Sequence, residues 1–374
     1  MAGRGAGTLR RDAQEIFRAA LKSVSPGEAL RKELRVKGER LFAGGKAYSL
    51  KKYRRVLLIG FGKASAAMAG AAEAILGERL SGGLIITKYG HELPLKRVEA
   101  RSAGHPVPDE AGLRATREII SLLEEAGEED LILCLISGGG SALLVGPAPG
   151  LSLEDKQRTT ELLLRSGATI HELNALRKHL SSVKGGRLAR VAAPATLLSF
   201  ILSDVVGDRL DVIASGPTAP DKSTFGECLE ILSRYGLEER VPPPVMSHLK
   251  AGARGEREET PRPGHPVFRR VKNLVIANNT KALNAAARRA RALGYRPLVL
   301  THCLEGESRE VARVLSAMAQ SVRERGRPTN PPACLLAGGE TTVTLRGQGK
   351  GGRNQELSLA GALALEDVEG VLLL

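Results

Sequence analysis

The chain has no tryptophan, and tyrosine and phenylalanine together supply only eleven of its 374 residues. So few aromatics disfavour a protein that binds single-stranded nucleic acid by stacking bases. Cysteine is nearly as scarce. Cys134, Cys228, Cys303 and Cys334 are scattered, with no Cys-x-x-Cys pair and no clustered histidines, so neither a disulfide framework nor a zinc site is indicated. Cys134 and Cys334 lie in apolar, strand-like runs and are expected as buried reduced thiols, which suits a cytoplasmic protein. No apolar run reaches the roughly 18 residues needed to cross a bilayer. The basic start, Met1 to Arg11, has no apolar stretch behind it and does not read as a secretory signal.

Positive charge is in excess, with 55 Lys and Arg against 41 Asp and Glu for a formal +14. A basic surface draws nucleic acid, acidic membrane or small phosphorylated molecules. Much of the excess is arginine spread along helices, such as Arg288, Arg289 and Arg291, and reads as a solvated face. The expected partners are therefore small anions, with no nucleic acid and no membrane.

Apolar strand-like runs alternate with helical patterns. Strands are expected at Val56–Ile59, Leu84–Thr87, Leu131–Ile136 and Thr196–Ser203, and helices at Ala64–Ile75, Arg114–Glu125, Leu153–Ser166 and His171–Val183. Thr8–Arg40 reads as largely helical. Strands this continuously apolar belong to a parallel sheet covered on both faces. The proline-rich, charged stretch Glu239–Arg270 reads as a connection with a helical piece near Val245–Leu249. A second series follows: strand Leu274–Ala277, helix Lys281–Leu293, strand Pro297–Thr301, helix Glu310–Arg323, a strand or hairpin at Cys334–Leu345, a helix from about Asn354 to Leu365, and a last strand at Gly370–Leu374. Two domains are expected, residues 1–240 and 241–374.

Glycine-rich loops mark the candidate site. Gly60-Phe61-Gly62-Lys63-Ala64-Ser65 follows a strand and opens a helix, where free N–H groups and the helix dipole favour an anion. It is not a Walker A loop, because Ala64 replaces the Mg²⁺-holding hydroxyl. As a dinucleotide fingerprint it is incomplete, because Ser65 replaces the third glycine and Thr87-Lys88 replaces the ribose-binding acid. Ser137-Gly138-Gly139-Gly140-Ser141 has more glycine than a simple turn requires, as an anion cradle of backbone N–H groups does. Asp204, at the end of a strand, is placed to hold Mg²⁺, to take a proton from a hydroxyl, or to cap a helix. Gly338-Gly339-Glu340-Thr341-Thr342 and Gly347–Glu356 add two glycine-bearing bends. Arg353 stands near a helix N-terminus, which it opposes electrostatically unless an anion is present, and it could clamp a phosphate in bidentate fashion. The histidines, including His91, His105, His171, His179 and His265, show neither metal spacing nor a neighbouring nucleophile.

In order along the chain, the two loops at residues 60–65 and 137–143, Gly104–Asp109, Leu173–Ser181, Lys184–Ala189, Ser203–Asp208, Ser215–Thr218, Gly338–Thr342 and Gly351–Glu356 resemble the glycerate 2-kinases whose C-terminal module is the MOFRL domain. The resemblance implies two α/β/α sandwich domains, a Rossmann-like parallel sheet in the first and a mixed sheet in the second, with the active site in the interdomain cleft and closure of that cleft in the mechanism. It implies phosphoryl transfer from ATP, with Mg²⁺, to the 2-hydroxyl of D-glycerate. Lys63 and Arg353 fall on the family's active-site lysine and arginine, and Asp204 is the third catalytic candidate. Gly60, Gly62, Ser137, Gly138, Gly139, Gly140, Ser141, Gly338, Glu340, Asn354 and Glu356 are the expected substrate and nucleotide contacts. Relatives continue past Leu374 with a further loop, so the second domain is expected to be truncated at its end. A monomer or homodimer is expected. The alternative activity is an NAD(P)-dependent hydroxypyruvate reductase, against which the incomplete fingerprint argues.

Overall fold

The computed structural model describes residues 5–347 and 349–374. The first four residues of the basic start, and Gln348 of the second glycine tract, lie outside the described residues. The chain forms two compact units. The larger is Pro26–Ile276, and the smaller joins the described residues up to Ser25 to Ala277–Leu374. This division differs from the expected boundary at residue 240, for reasons visible in the packing of each unit.

The larger unit opens with a helix at Pro26–Glu33 and a three-stranded antiparallel sheet, β1 Leu34–Lys37, β2 Arg40–Ala43 and β3 Lys46–Ser49. Reading Thr8–Arg40 as helix missed this sheet, because its strands are short and rich in Arg and Lys. Its turns depend on Gly38, Gly44 and Gly45 with φ of 56°, 52° and 75°, a conformation that favours glycine.

The main sheet has six strands: β4 Arg55–Phe61, β5 Gly82–Lys88, β6 Val98–Ala103, β7 Asp130–Ile136, β8 Thr196–Leu202 and β9 Val271–Ala277, in the order β6-β5-β4-β7-β8-β9. The pairs β4–β5, β4–β7, β5–β6 and β7–β8 are parallel. Every residue of β7 is buried, as expected of a strand covered on both faces. Ile59, Phe61, Ile132, Cys134, Ile136, Leu197 and Ile201 share one core with Ala115, Ile119 and Leu123 of the helix Glu110–Glu124. Strand β6 carries only two buried residues, Val98 and Ala103, and so lacked an apolar signal. The Glu73 carboxylate fixes its start by accepting from the N–H groups of Lys96, Arg97 and Val98 at 2.7–3.0 Å.

The boundary moves because both segments around residue 240 belong to this unit. Helix Pro243–Ala253 buries Val245 and Leu249 in a second core with Leu162, Leu176, Phe225 and Leu232. Strand β9 closes the edge of the first sheet instead of opening a new domain.

The smaller unit pairs two parallel strands, β10 Arg296–Leu304 and β11 Ala333–Gly339. The expected mixed sheet is therefore a parallel pair among the described residues. The hairpin at Cys334–Leu345 is not formed, because β11 ends at Gly339 and Thr342 makes only an isolated parallel bridge to Glu307. Helix Ala6–Ser23 joins this unit because Ile16 is buried among Ala286, Ala290 and Tyr295. Asp12 Oδ2 accepts from the Tyr295 hydroxyl at 2.9 Å, and Glu15 pairs with Arg289. Helices Ser308–Arg325 and Arg353–Ala364 pack together, with Gln320 Nε2 donating to Ala364 O at 3.3 Å. Val371–Leu374 form no strand, although their apolar run suggested one. The four cysteines are free thiols. Cys134 and Cys228 are buried, and burial pushes both thiols up.

Candidate active site

From β4 the chain winds outward in one direction, to β5 and β6, and then returns to β7 on the other side. The carboxyl ends of β4 and β7 therefore flank a topological switch point, where open α/β sheets bind ligands. The register places Phe61 opposite Ile136, so Gly62-Lys63 and Ser137-Gly138-Gly139-Gly140 leave the sheet side by side.

Backbone contacts lock the two loops together. Lys63 N–H donates to Gly138 O at 2.9 Å, and Ser137 N–H donates to Phe61 O at 3.1 Å. Ala64 N–H donates to Ser137 Oγ at 3.0 Å. Gly62, at φ 128°, has room for no side chain, since a Cβ there would lie 2.6 Å from Ser137 O. Ser65 Oγ donates to Gly62 O and Ile86 O at 2.8 and 3.0 Å, seating the helix Ser65–Leu76 behind the loop. Gly60 sits differently. It is buried inside β4, where a Cβ would meet Ile85 and Leu135 at 3.0–3.1 Å, so its role there is strand packing.

Side chains from four separate segments meet at these loops. Lys63 is exposed, with its Cε 3.3 Å from where a Cβ of Gly139 would stand. The His105 ring lies 2.9 Å from the same point. Asp204, also exposed, brings Oδ2 to 2.3 Å from where a Cβ of Gly138 would stand. Burial, then the positive charges of Lys63 and Lys88, push the His105 imidazole below its ordinary range. It is thus held neutral, with an accepting nitrogen available at neutral pH. His91 Nδ1 lies 3.2 Å from Lys63 O. Sequence reasoning did not assign His105 to the site. The available signal was its place in Gly104–Asp109, whose Asp109 caps the helix Glu110–Glu124 by accepting from Gly112 N–H.

Ser141 does not face the same group directly. Its Oγ lies 2.8 Å from Ser215 Oγ, and Ser215 Oγ donates to Asn174 Oδ1 at 3.1 Å. Ala214, Ser215 and Gly216 all have positive φ, 51°, 61° and 63°. Non-glycine residues in that region are strained and cluster at functional sites.

In the smaller unit, Gly338 and Gly339 pass too close to Asn279 and β10 to bear side chains. A Cβ would lie 2.2 Å from Asn279 Oδ1 or 2.0 Å from Leu304 O. Glu340 N–H donates to Leu304 O at 2.8 Å. Arg353 is the first residue of its helix, and its Nη1 lies 2.6 Å from Glu340 Oε1, with both side chains about half exposed. The anion that offsets the helix dipole beside Arg353 is thus Glu340. Glu356 pairs with Arg309 at 3.7 Å, and Asn354 is exposed. Among the described residues no group of three His, Cys, Asp or Glu side chains is arranged to hold a metal ion. None of the described helices is long and apolar enough to cross a membrane.

Residues 12–250 match a family model described as a domain of unknown function, DUF4147, and residues 333–374 match the MOFRL family. The glycerate 2-kinase of Pyrococcus horikoshii is 44% identical over 94% of this chain and 79% of its own length. The D-glycerate 2-kinase of Thermotoga maritima is 41% identical over 98% of this chain and 82% of its own length. A crystal structure of a glycerate kinase from Thermotoga maritima aligns with TM-score 0.83 at 40% identity, over 97% of this chain and 81% of that one. A protein of Agrobacterium vitis with the provisional name hydroxypyruvate reductase is 44% identical over 85% of this chain and 70% of its own. With matching family models at both ends, the same fold, and kinases at this identity along nearly its whole length, the chain belongs to the glycerate 2-kinase family.

Proposed function

We propose that this protein is a glycerate 2-kinase that transfers the γ-phosphoryl group of ATP to the 2-hydroxyl of D-glycerate. The observation that carries this is the grouping of Lys63, His105 and Asp204 around Gly138 and Gly139 at the switch point of the main sheet. Phosphoryl transfer asks a protein mainly for positioning and charge neutralisation. Lys63, exposed and beside an anion-binding loop, neutralises charge on the transferring group. The N–H groups of Gly138 and Gly139 hold phosphate oxygens, while that of Gly140 is donated to Ser137 O. Asp204 orients the acceptor hydroxyl and draws off its proton, and neutral His105 is a second acceptor within the same group. Arg353, held by Glu340 within the smaller unit, is a cation suited to phosphate or carboxylate.

The donor set bears on Mg²⁺. Asp204 is a single carboxylate, which is no cage by itself, but Mg²⁺ commonly binds through one or two carboxylates together with substrate phosphates. The residues fit an ion brought in with ATP, with Asp204 as its protein ligand. Such an ion would neutralise phosphate charge when bound. We place the enzyme in the cytoplasm, in keeping with its free thiols.

Incubation with D-glycerate, ATP and Mg²⁺ tests the proposal, with the position of the product phosphate read by NMR. Formation of 2-phosphoglycerate and ADP is expected, and absence of both overturns it. The provisional name of the Agrobacterium relative favours a reductase instead. That activity predicts NADH or NADPH oxidation with hydroxypyruvate and no consumption of ATP.

A further inference from the structure

Beside the triple-glycine loop the larger unit buries positive charge without negative charge to match it. Lys184 is 2% exposed, and its Nζ reaches only Ala214 O, at 3.4 Å. Lys156 is 8% exposed and donates from Nζ to Leu180 O at 2.8 Å. Arg177, partly exposed, has no hydrogen bond or ion pair among the described residues. None of the three forms an ion pair with any described carboxylate. They also repel one another, since Lys156 and Arg177 both disfavour the charge on Lys184. The neighbouring Lys178 shows the contrast, since it meets Asp221 at 2.9 Å.

An unpaired buried ammonium is costly and tends to give up its proton, as burial pushes both Lys156 and Lys184 down, so an anionic ligand that restores and pairs the charge is bound at such a place. The donors converge. Asn174 and Arg177 lie three residues apart on the helix Ile170–His179 and so share a face. Asn174 Oδ1 is taken by Ser215, and its Nδ2 has no hydrogen-bond partner among the described residues. Lys184 holds the carbonyl of Ala214, in the same strained turn that presents Ser215 to both Asn174 and Ser141. Ser141 follows the triple glycine directly, so this group adjoins the loop that carries the candidate site.

We propose that Asn174, Arg177 and Lys184, with Ser141 and Ser215 at the rim, form an anion subsite that takes an oxyanion group of the bound ligand, a carboxylate or a phosphate. Naming that ligand rests on the kinase proposal above, whereas the anion itself does not. The strained turn positions Ser215, and the cationic side chains supply the affinity.

The experiment measures binding by calorimetry, in buffer free of phosphate and sulfate, of D-glycerate, ADP and sulfate to the intact chain and to Arg177→Gln and Lys184→Met. Arg177 is partly exposed, so its variant should fold, and a Lys184→Arg variant keeps the second position testable if Lys184→Met does not fold. Arg177→Gln is expected to weaken sulfate and one of the two ligands by about tenfold or more, the loss of one charge-assisted hydrogen bond. Loss confined to D-glycerate assigns the subsite to the substrate carboxylate, and loss confined to ADP assigns it to nucleotide phosphate. Unchanged binding of all three in Arg177→Gln overturns the proposal, as does an intact chain that binds none of them. If the intact chain lacks kinase activity, the kinase proposal fails, and the sulfate arm still decides the subsite.

Discussion

At the scale of single residues, the candidate site sets a solvated cation beside buried ones. Lys63 is the solvated one, exposed beside the triple-glycine loop. Lys63→Ala is expected to reduce turnover by about 10²–10³-fold, the scale of losing one electrostatic contact to the transition state, with the circular dichroism spectrum unchanged. Turnover near that of the intact protein would remove Lys63 from the mechanism. Lys156 gives a different kind of prediction. Burial, then Arg177 and Arg187, lowers its amine from the ordinary 10.5 to about 7. Between those two values the unfolded chain holds a proton that the folded chain has released, so this lysine makes stability rise with pH across the window. Thermal unfolding of the intact protein and of Lys156→Met from pH 7 to 9, without anions, should show a larger gain in the intact protein. Equal slopes would show that Lys156 does not titrate in that range.

Among loops and strands, the glycines of the site divide by what surrounds them. Gly62 combines φ 128° with backbone 2.6 Å from a Cβ position. Gly62→Ala should therefore destabilise by about 2 kcal/mol or more, since neither strain nor clash can relax easily. At Gly138 the obstacle is the end of the Asp204 side chain, 2.3 Å from the Cβ position. Gly138→Ala should displace that carboxylate, leaving stability within about 1 kcal/mol while turnover falls. Urea melts beside kinetics separate the two, and equal destabilisation would contradict the distinction. The same contrast explains why the loops were legible in the sequence while their uses were not. Three consecutive glycines after an apolar strand announce a tight approach, but Gly60 looks no different from Gly62 until the strand register shows that one packs in the sheet and the other faces Ser137.

For the molecule as a whole, helix Ala6–Ser23 is distant in sequence from the strands and helices it completes. Its Ile16 fills a core with Ala286, Ala290 and Tyr295. Ile16→Ala is expected to cost about 2–3 kcal/mol, in the range of removing a buried aliphatic side chain. The loss should appear as faster hydrogen exchange in Asn279–Ala292 and not in β4 or β7, since the two units have separate cores. Uniform loss of protection over both units would mean that they unfold as one.

The amino-acid sequence alone was enough to establish the alternating α/β order, the strands β4, β5, β7 and β8, the glycine loops after them and the family. Each rests on local signals, either continuous apolar runs or residue types whose backbone freedom shows without a partner. Tertiary structure decided what depends on meetings across the chain. It moved the boundary to residue 276, because β9 is apolar wherever it pairs and only pairing shows which sheet receives it. It placed Glu340 as the anion beside Arg353, and brought His105 and Asp204 to the triple-glycine loop from far along the sequence. The unpaired charge of Arg177 and Lys184 likewise became visible only in the fold. A basic residue in a sequence is assumed to be solvated, and only burial leaves its charge in need of a partner.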